Sequence, residues 1–276
     1  MRPAVAAAAL RDLCAGGAGR YLVLAAHPDD EVIGAGALLA RAADAFVVHV
    51  TDGAPRDAAL RAAPPATTRE EYAAVRRAEA ARALAVAGLP PERIRGLGAV
   101  DQEAALGLAE LARAVARLAR ELRPSVLLTH SYEGGHPDHD AAAFVGWAAR
   151  RLLGADGGFV LAEMTSYHGA GDLVVERFLP PPLGAAVPAE VVVELGDEAR
   201  RRKRAMLECF ASQRAVLAPF SAPFVERFRL APAYDFARPP HAGPLRYEAL
   251  GWPLDGGRWR ALAAAARRAL SLGGAA

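Results

Sequence analysis

The chain has 276 residues, 53% hydrophobic and 23% charged, with a formal net charge of +2 and two cysteines. That balance excludes disorder as the main state and leaves enough length to bury a full core without staples. A charge so near neutral, with no Lys/Arg run flanked by aromatics, argues against a nucleic-acid partner. Cys14 and Cys209, far apart and outside any metal-type spacing, suit a reducing cytoplasm.

In chain order, Met1 to Leu10 reads as a first helix, because its apolar stretch is short and closes on Arg11-Asp12 without a signal cleavage site. Tyr21 to Ala26 is a continuous apolar run, the pattern of a strand buried on both faces. Glu31 to Ala43 predicts a helix, Phe46 to Val50 a strand and Thr67 to Gly88 a long helix stopped at Gly88. Arg93 to Leu97 is a weak strand, Ala104 to Leu122 an amphipathic helix and Val126 to Thr129 another buried strand. This alternation predicts an α/β fold: a three-layer α/β/α sandwich on a mostly parallel sheet, with a crevice at the carboxyl ends of its strands. Beyond a seam at Gly154 to Gly158, strands are expected at Phe159 to Met164, Leu173 to Leu179 and Val191 to Leu195, and a helix from Asp197 to Arg214. Residues 1–155 thus form the core and 156–276 complete the sheet and cap the pocket, with 234–248 reaching over it. No apolar run approaches the ~18–20 residues of a membrane span, so no membrane partner is expected and the compartment is taken as cytoplasmic.

Two stretches carry the chemistry. Ala26-His27-Pro28-Asp29-Asp30-Glu31 stands where the first core strand gives way to a helix. An imidazole and several carboxylates there suit a divalent metal, and they suit a helix N-cap equally well. Thr129 to Asp140 again follows a buried strand, and its His136 and His139, three apart beside Gly134-Gly135, fall at the same sheet edge. Two rings aimed into one cavity and a third ligand from the first stretch complete a facial site; the competing reading is a solvated polar loop.

The pair AHPDDE and HPDH, in this order and each after a core strand, resembles the PIG-L/LmbE-like family of metal-dependent N-deacetylases. The resemblance implies a Rossmann-like (LmbE-like) fold with one catalytic Zn²⁺, and hydrolysis of an N-acetyl group, usually from an N-acetylglucosamine unit. It makes His27, Asp30 and His139 the metal ligands, Asp29 the general base, and His136 the group that stabilises the oxyanion or protonates the leaving amine. A His₂Asp set suits Fe²⁺ as well. Arg76, in an Arg-x-x-Glu pattern with Glu79, reads equally as a site residue and as an exposed ion pair. Asp101, Tyr132, Glu163 and His241 are further candidates for contacts with a small amino-sugar or glycoconjugate substrate, and Tyr167 and His168 for the cavity wall. His130 is read as an orienting group, His49 as a core histidine, and Arg200 to Arg204 with Lys203 as a solvated helix face.

Two departures from the family concern the acceptor side of the substrate. Phe210-Ala211-Ser212-Gln213 has an apolar ring where relatives carry histidine, and Gly134 stands where some carry tyrosine. The alternatives are an amidase acting on a thiol conjugate or antibiotic-type glycoside, a metal-binding protein without turnover, and a nucleotide-binding Rossmann protein. The last rests on Gly34-x-Gly36 and lacks a third glycine, since Leu39 occupies that place. Oligomeric state is not legible in the chain.

Overall fold

The computed structural model describes residues 3–61, 68–154, 158–169, 171–180, 188–221 and 224–273. Helix α1 (Pro3–Cys14) leads into β1 (Arg20–Ala25), α2 (Asp30–Leu39) and β2 (Asp44–Thr51). Next come α3 (Arg69–Val86), β3 (Ile94–Ala99), α4 (Leu108–Leu122), β4 (Val126–Thr129), α5 (Pro137–Leu153) and β5 (Val160–Met164). Beyond these lie a two-stranded ribbon of β6 (Tyr167–His168) and β7 (Val174–Val175), then β8 (Glu190–Glu194), α6 (Asp197–Glu208), α7 (Arg214–Leu217), β9 (Val225–Leu230), α8 (Arg246–Ala249) and α9 (Gly256–Ala269).

Seven strands form one sheet in the order β3-β2-β1-β4-β5-β9-β8. The first five are mutually parallel, and β9 and β8 add antiparallel at one edge. Along β1 the side chains alternate between two cores, as the period of two requires. Leu22 and Leu24 pack with α4, α5 and α9, whereas Tyr21, Val23 and Ala25 pack with residues of α1, α2, α3 and α6. The strand order reverses between β1 and β4, and a crevice opens outside the carboxyl ends of these two strands. Both chemical motifs follow them directly. Of the strands after residue 155, β5, β9 and β8 continue this same sheet, with β5 in register beside β4, whereas β6 and β7 pair apart from it.

The strand expected over Leu173 to Leu179 shrinks to the two residues of β7, and the helix expected to run to Arg214 ends at Glu208. Leu173 to Leu179 is wholly described, and 181–187 lie outside the described residues. Strand β9 and helix α9 are elements the sequence reading did not place.

Helix α2 carries a kink, Ala35 having φ −144° and ψ 20°. The groups freed there are met by a buried ion pair: Lys203 Nζ donates to Ile33 O at 2.7 Å, and Glu226 accepts from the Ala37 and Leu38 N–H groups at 2.7 and 3.0 Å. Lys203 and Glu226 are themselves 2.8 Å apart. Lys203 is therefore not part of a solvated face; α6 turns it inward against α2. Gly34 is required at the same crossing, because a Cβ there meets Met164 Cγ and Sδ at 2.6 Å. That packing role, with His27-Pro28 occupying the strand–helix turn, removes the basis of a nucleotide fingerprint. No helix among the described residues is long and apolar enough to cross a membrane, and Cys14 and Cys209 are both free thiols.

Candidate active site

The end of β1 is tied to the end of β4 by a hydrogen bond from the Ala26 N–H to His130 Nε2, 3.0 Å. His27 then folds back on α2: its N–H donates to Asp30 Oδ2 at 2.9 Å and its Nδ1 lies 3.0 Å from the same oxygen. From the other side, His139 Nε2 stands 3.2 Å from Asp30 Oδ1. His27, Asp30 and His139, the three expected ligands, meet around one carboxylate, and all three are buried.

Asp29 occupies the N-cap position of α2 at φ 146°, a conformation that costs a non-glycine residue about 1–3 kcal/mol, yet its side chain makes no cap hydrogen bond. The helix-cap reading therefore fails. The carboxylate turns to Arg76, whose Nη2 donates to Asp29 Oδ2 at 2.9 Å and to Pro28 O at 2.6 Å. The backbone is fixed by Glu31 Oε2, which accepts the Asp29 N–H at 3.0 Å and lies 3.0 Å from His49 Nε2. His49 is thus a satisfied core histidine, as expected. Burial pushes the Asp29 carboxyl up to about 6 while Arg76 pulls it down.

Arg76 is buried and does not form an exposed pair with Glu79. Its guanidinium lies 5.9 Å from the Phe210 ring centre, and Glu79 accepts from Ser212 N and Oγ at 2.9 and 2.6 Å. Gln213 Nε2 donates to Tyr72 Oη at 2.6 Å. The Phe210-Ala211-Ser212-Gln213 segment thereby clamps α3 and supports the arginine that holds Asp29.

On the β4 side, α5 opens with Pro137 at its first turn, where a missing N–H costs nothing. His136 is the N-cap, and its Nδ1 accepts the Asp138 N–H at 3.1 Å. That bond places the ring proton on Nε2. Burial, with His27 and His139 close by, holds the His136 pKa well below the usual histidine range, so a neutral ring presents an N–H donor. The Asp138 carboxylate accepts from Gln102 N and Ala104 N at 2.6 and 3.1 Å and lies 3.2 Å from His27 Nε2, fastening the loop after β3 to α5. Asp140 gathers the Glu133 and Gly134 N–H groups at 3.2 and 3.0 Å and shapes the loop before His136. Gly135 is obligatory in that loop, since a Cβ there meets Tyr167 O at 2.1 Å.

These donors suit a divalent cation. The ligand atoms of His27, His136 and His139 lie within 4.8 Å of one another, as do those of Asp30, His130 and His139, and buried His139 Nε2 has only the unaligned 3.2 Å contact with Asp30. Burial holds the His139 ring down at about 4, hence neutral with a free lone pair. Burial opposes charge on His27 too, but the Asp101, Asp138 and Asp30 carboxylates around it raise its pKa well above the usual value. A pocket that draws a proton onto a buried imidazole in this way favours positive charge at that place.

The cavity above this floor measures about 400 Å³ and is lined by His27, Asp29, Asp30, Arg76, Asp101 and His136 together with apolar side chains. Asp101 Oδ1 is 3.1 Å from His27 Nε2, and Tyr167 lines the wall with its ring 4.8 Å from that of His139. Four candidates fall outside the cavity lining: Tyr132, Glu163, His241 and His168. Tyr132 is buried among Tyr234, Phe236 and Trp259, its hydroxyl donating to Arg238 O at 2.9 Å. Glu163 pairs with Arg229 at 2.9 Å, and His241 Nδ1 lies 2.8 Å from Ala242 O. His168 lies behind the wall, Nε2 3.0 Å from Arg177 O. The sequence reading assigned no role to Asp138 or Trp252, the latter edge-on to His136 at 4.7 Å. Asp138 had a signal, its place inside the HPDH motif; Trp252 had none.

Residues 22–150 match the family described as PIG-L: GlcNAc-PI de-N-acetylase. A 1D-myo-inositol 2-acetamido-2-deoxy-alpha-D-glucopyranoside deacetylase from Thermobispora bispora is 35% identical over 209 residues, covering 64% of this chain and 68% of the relative. A protein of the same description from Catenulispora acidiphila is 36% identical over 156 residues, which is 48% of each chain. Among solved structures, the A40926 pseudoaglycone deacetylase Dbv21 superposes with a TM-score of 0.59 at 22% identity, over 77% of this chain and 97% of that one. This last likeness speaks to the fold.

Proposed function

Because the chain belongs to the PIG-L family of de-N-acetylases, we propose that it removes the N-acetyl group from an N-acetylglucosamine-containing small molecule or glycoconjugate, with Zn²⁺ as the resident ion. The observation that carries this reading is Asp29: a buried, strained carboxylate, held by Arg76 beside a His/Asp cluster at the floor of a cavity. His27, Asp30 and His139 would hold the ion; Fe²⁺ suits the same donors. When bound, such a metal acts as a Lewis acid toward the amide carbonyl and lowers the pKa of water.

The chain's own residues do the rest. Asp29 accepts the proton of the attacking water, and its raised pKa brings its basicity nearer to neutral. Arg76 keeps the carboxylate aimed and prevents it from turning back to cap α2. His136 Nε2–H donates to the carbonyl oxygen as charge gathers there, and its Nδ1 bond to Asp138 N fixes the tautomer this requires. Asp101 and Gln102, on the loop that Asp138 fastens, face the cavity as acceptor and donor for substrate hydroxyls. Two unpaired thiols support a reducing, cytoplasmic setting.

The test is metal analysis of the purified protein, paired with release of free amine from N-acetylglucosaminides. About one equivalent of metal is expected, with amine release abolished by a chelator and restored by Zn²⁺. Amine release that is indifferent to metal removal, or no release after reconstitution, overturns the reading.

A further inference from the structure

The floor of the cavity is polar, but its mouth is not. Leu60 from the turn after β2, Leu173 before β7, Val216 in α7 and Leu250 after α8 all line the same cavity, and each is between 37% and 50% exposed. Large apolar side chains left in water on four separate segments, converging on one opening, form a patch rather than scattered surface residues. Phe220 and Trp252 continue the apolar wall inward toward His136. The polar groups beside them are few and each is partly engaged: Gln213 Nε2 donates to Tyr72 Oη, and Arg246 Nη1 to Gly169 O at 3.0 Å. A second polyhydroxylated ring seated there would lose water from its hydroxyls and gain few partners.

We infer that the substrate is amphipathic, carrying an alkyl or aryl group of several carbons that leaves the polar floor and lies against the collar of Leu60, Leu173, Val216 and Leu250. The inference rests on the deacetylase reading for the amide at the floor, but the collar and its occupant are argued independently of turnover. The polar end places the scissile bond; the apolar end supplies affinity by removing both surfaces from water.

The probes are methyl and hexyl β-glycosides of glucosamine, the products of the proposed hydrolysis, titrated calorimetrically against the full chain. The hexyl compound is expected to bind at least tenfold more tightly, about 1.4 kcal/mol, with the more negative heat-capacity change of apolar burial. In the Val216→Ser/Leu250→Ser double variant, altered only at half-exposed positions, that ratio should fall severalfold; Val192→Ser, on the far edge strand β8, should leave it unchanged. Equal affinities, no binding of either compound, or a ratio that Val192→Ser lowers as much as the double variant does each overturns the inference. The N-acetylated pair separates the two readings. Amine release from both glycosides with equal product affinities retains the deacetylase and removes the collar, whereas tighter hexyl binding without amine release does the reverse.

Discussion

Two buried clusters in this molecule each gather carboxylates around a basic side chain and end in opposite states. Around Arg229, Nε donates to Glu163 at 2.9 Å, Nη1 to Leu179 O at 3.0 Å and Nη2 to Tyr234 Oη at 3.1 Å. Glu133 lies 3.5 Å from the guanidinium and accepts the Leu179 N–H at 2.7 Å. Each of these groups has a protein partner. Around His27, by contrast, three carboxylates, Asp30, Asp101 and Asp138, stand 3.0–3.2 Å from one imidazole, more negative charge than a single ring balances. The first cluster is closed and holds β5, β9 and the segment after β7 together. The second is open to a cavity, and its surplus of carboxylate is what the proposed cation would balance.

The largest expected effect lies in the open cluster. Asp29→Ala should lower turnover by roughly 10²–10⁴ while metal content stays at the wild-type level, and His27→Ala should lose the metal itself; elemental analysis beside the amine assay separates the two. Closing the comparison from the other side, Arg229→Met leaves Glu133 and Glu163 buried without their cation. Above pH 8, where both carboxyls are ionised, it should destabilise the fold by about 3–5 kcal/mol in denaturant titration, and by less at lower pH, with activity per folded molecule much less affected.

The closed cluster also has a pH signature. Burial pushes Glu133 up to about 7 and Glu163 up to about 8, with Arg229 pulling both down. Carboxyl pKa values raised in the folded state mean that the folded protein holds protons the unfolded chain releases. Their contribution is therefore fully present below about 4.5, the ordinary glutamate value, and is lost as pH rises through 7 and 8. The melting temperature should fall from pH 6 to pH 9, and Glu163→Gln should flatten that decline; an unchanged slope refutes the assignment. The smallest effect expected is Tyr132→Phe, which removes one hydrogen bond to Arg238 O, about 0.5–1.5 kcal/mol, and leaves amine release intact because the ring faces the aromatic cluster.

The open cluster was legible in the chain because strand ends carry it. Val23 pairs in register with Leu128, so whatever follows β1 and β4 must converge, and histidines and aspartates in those two places need no distant information to be read together. The closed clusters were not legible. Val225-Glu-Arg-Phe-Arg-Leu230 turns Glu226, Phe228 and Arg229 inward, and charged residues at buried positions erase the alternation by which a strand is recognised. Their burial is tolerable only through Lys203 and Glu163, 23 and 66 residues away along the chain. By sequence Lys203 reads as solvated, and Glu163 and Tyr132 as site residues, for the same reason: a polar side chain shows its partner only in space. Helix α9 was missed although Trp259, donating to Pro137 O at 3.0 Å, braces the turn that presents His136.

The kink in α2 ties the two ends of the chain's chemistry into one inheritance. The helix that begins at Asp30 completes its hydrogen bonding through Glu226, so the geometry of the first motif is written partly on β9. A chimera joining residues 1–155 to the later strands of a relative should keep its catalytic geometry only where the recipient brings an acid opposite Ala37 and a lysine opposite Ile33. Exchange of the C-terminal half should therefore succeed only between chains that share this contact, whatever their agreement at the motifs themselves.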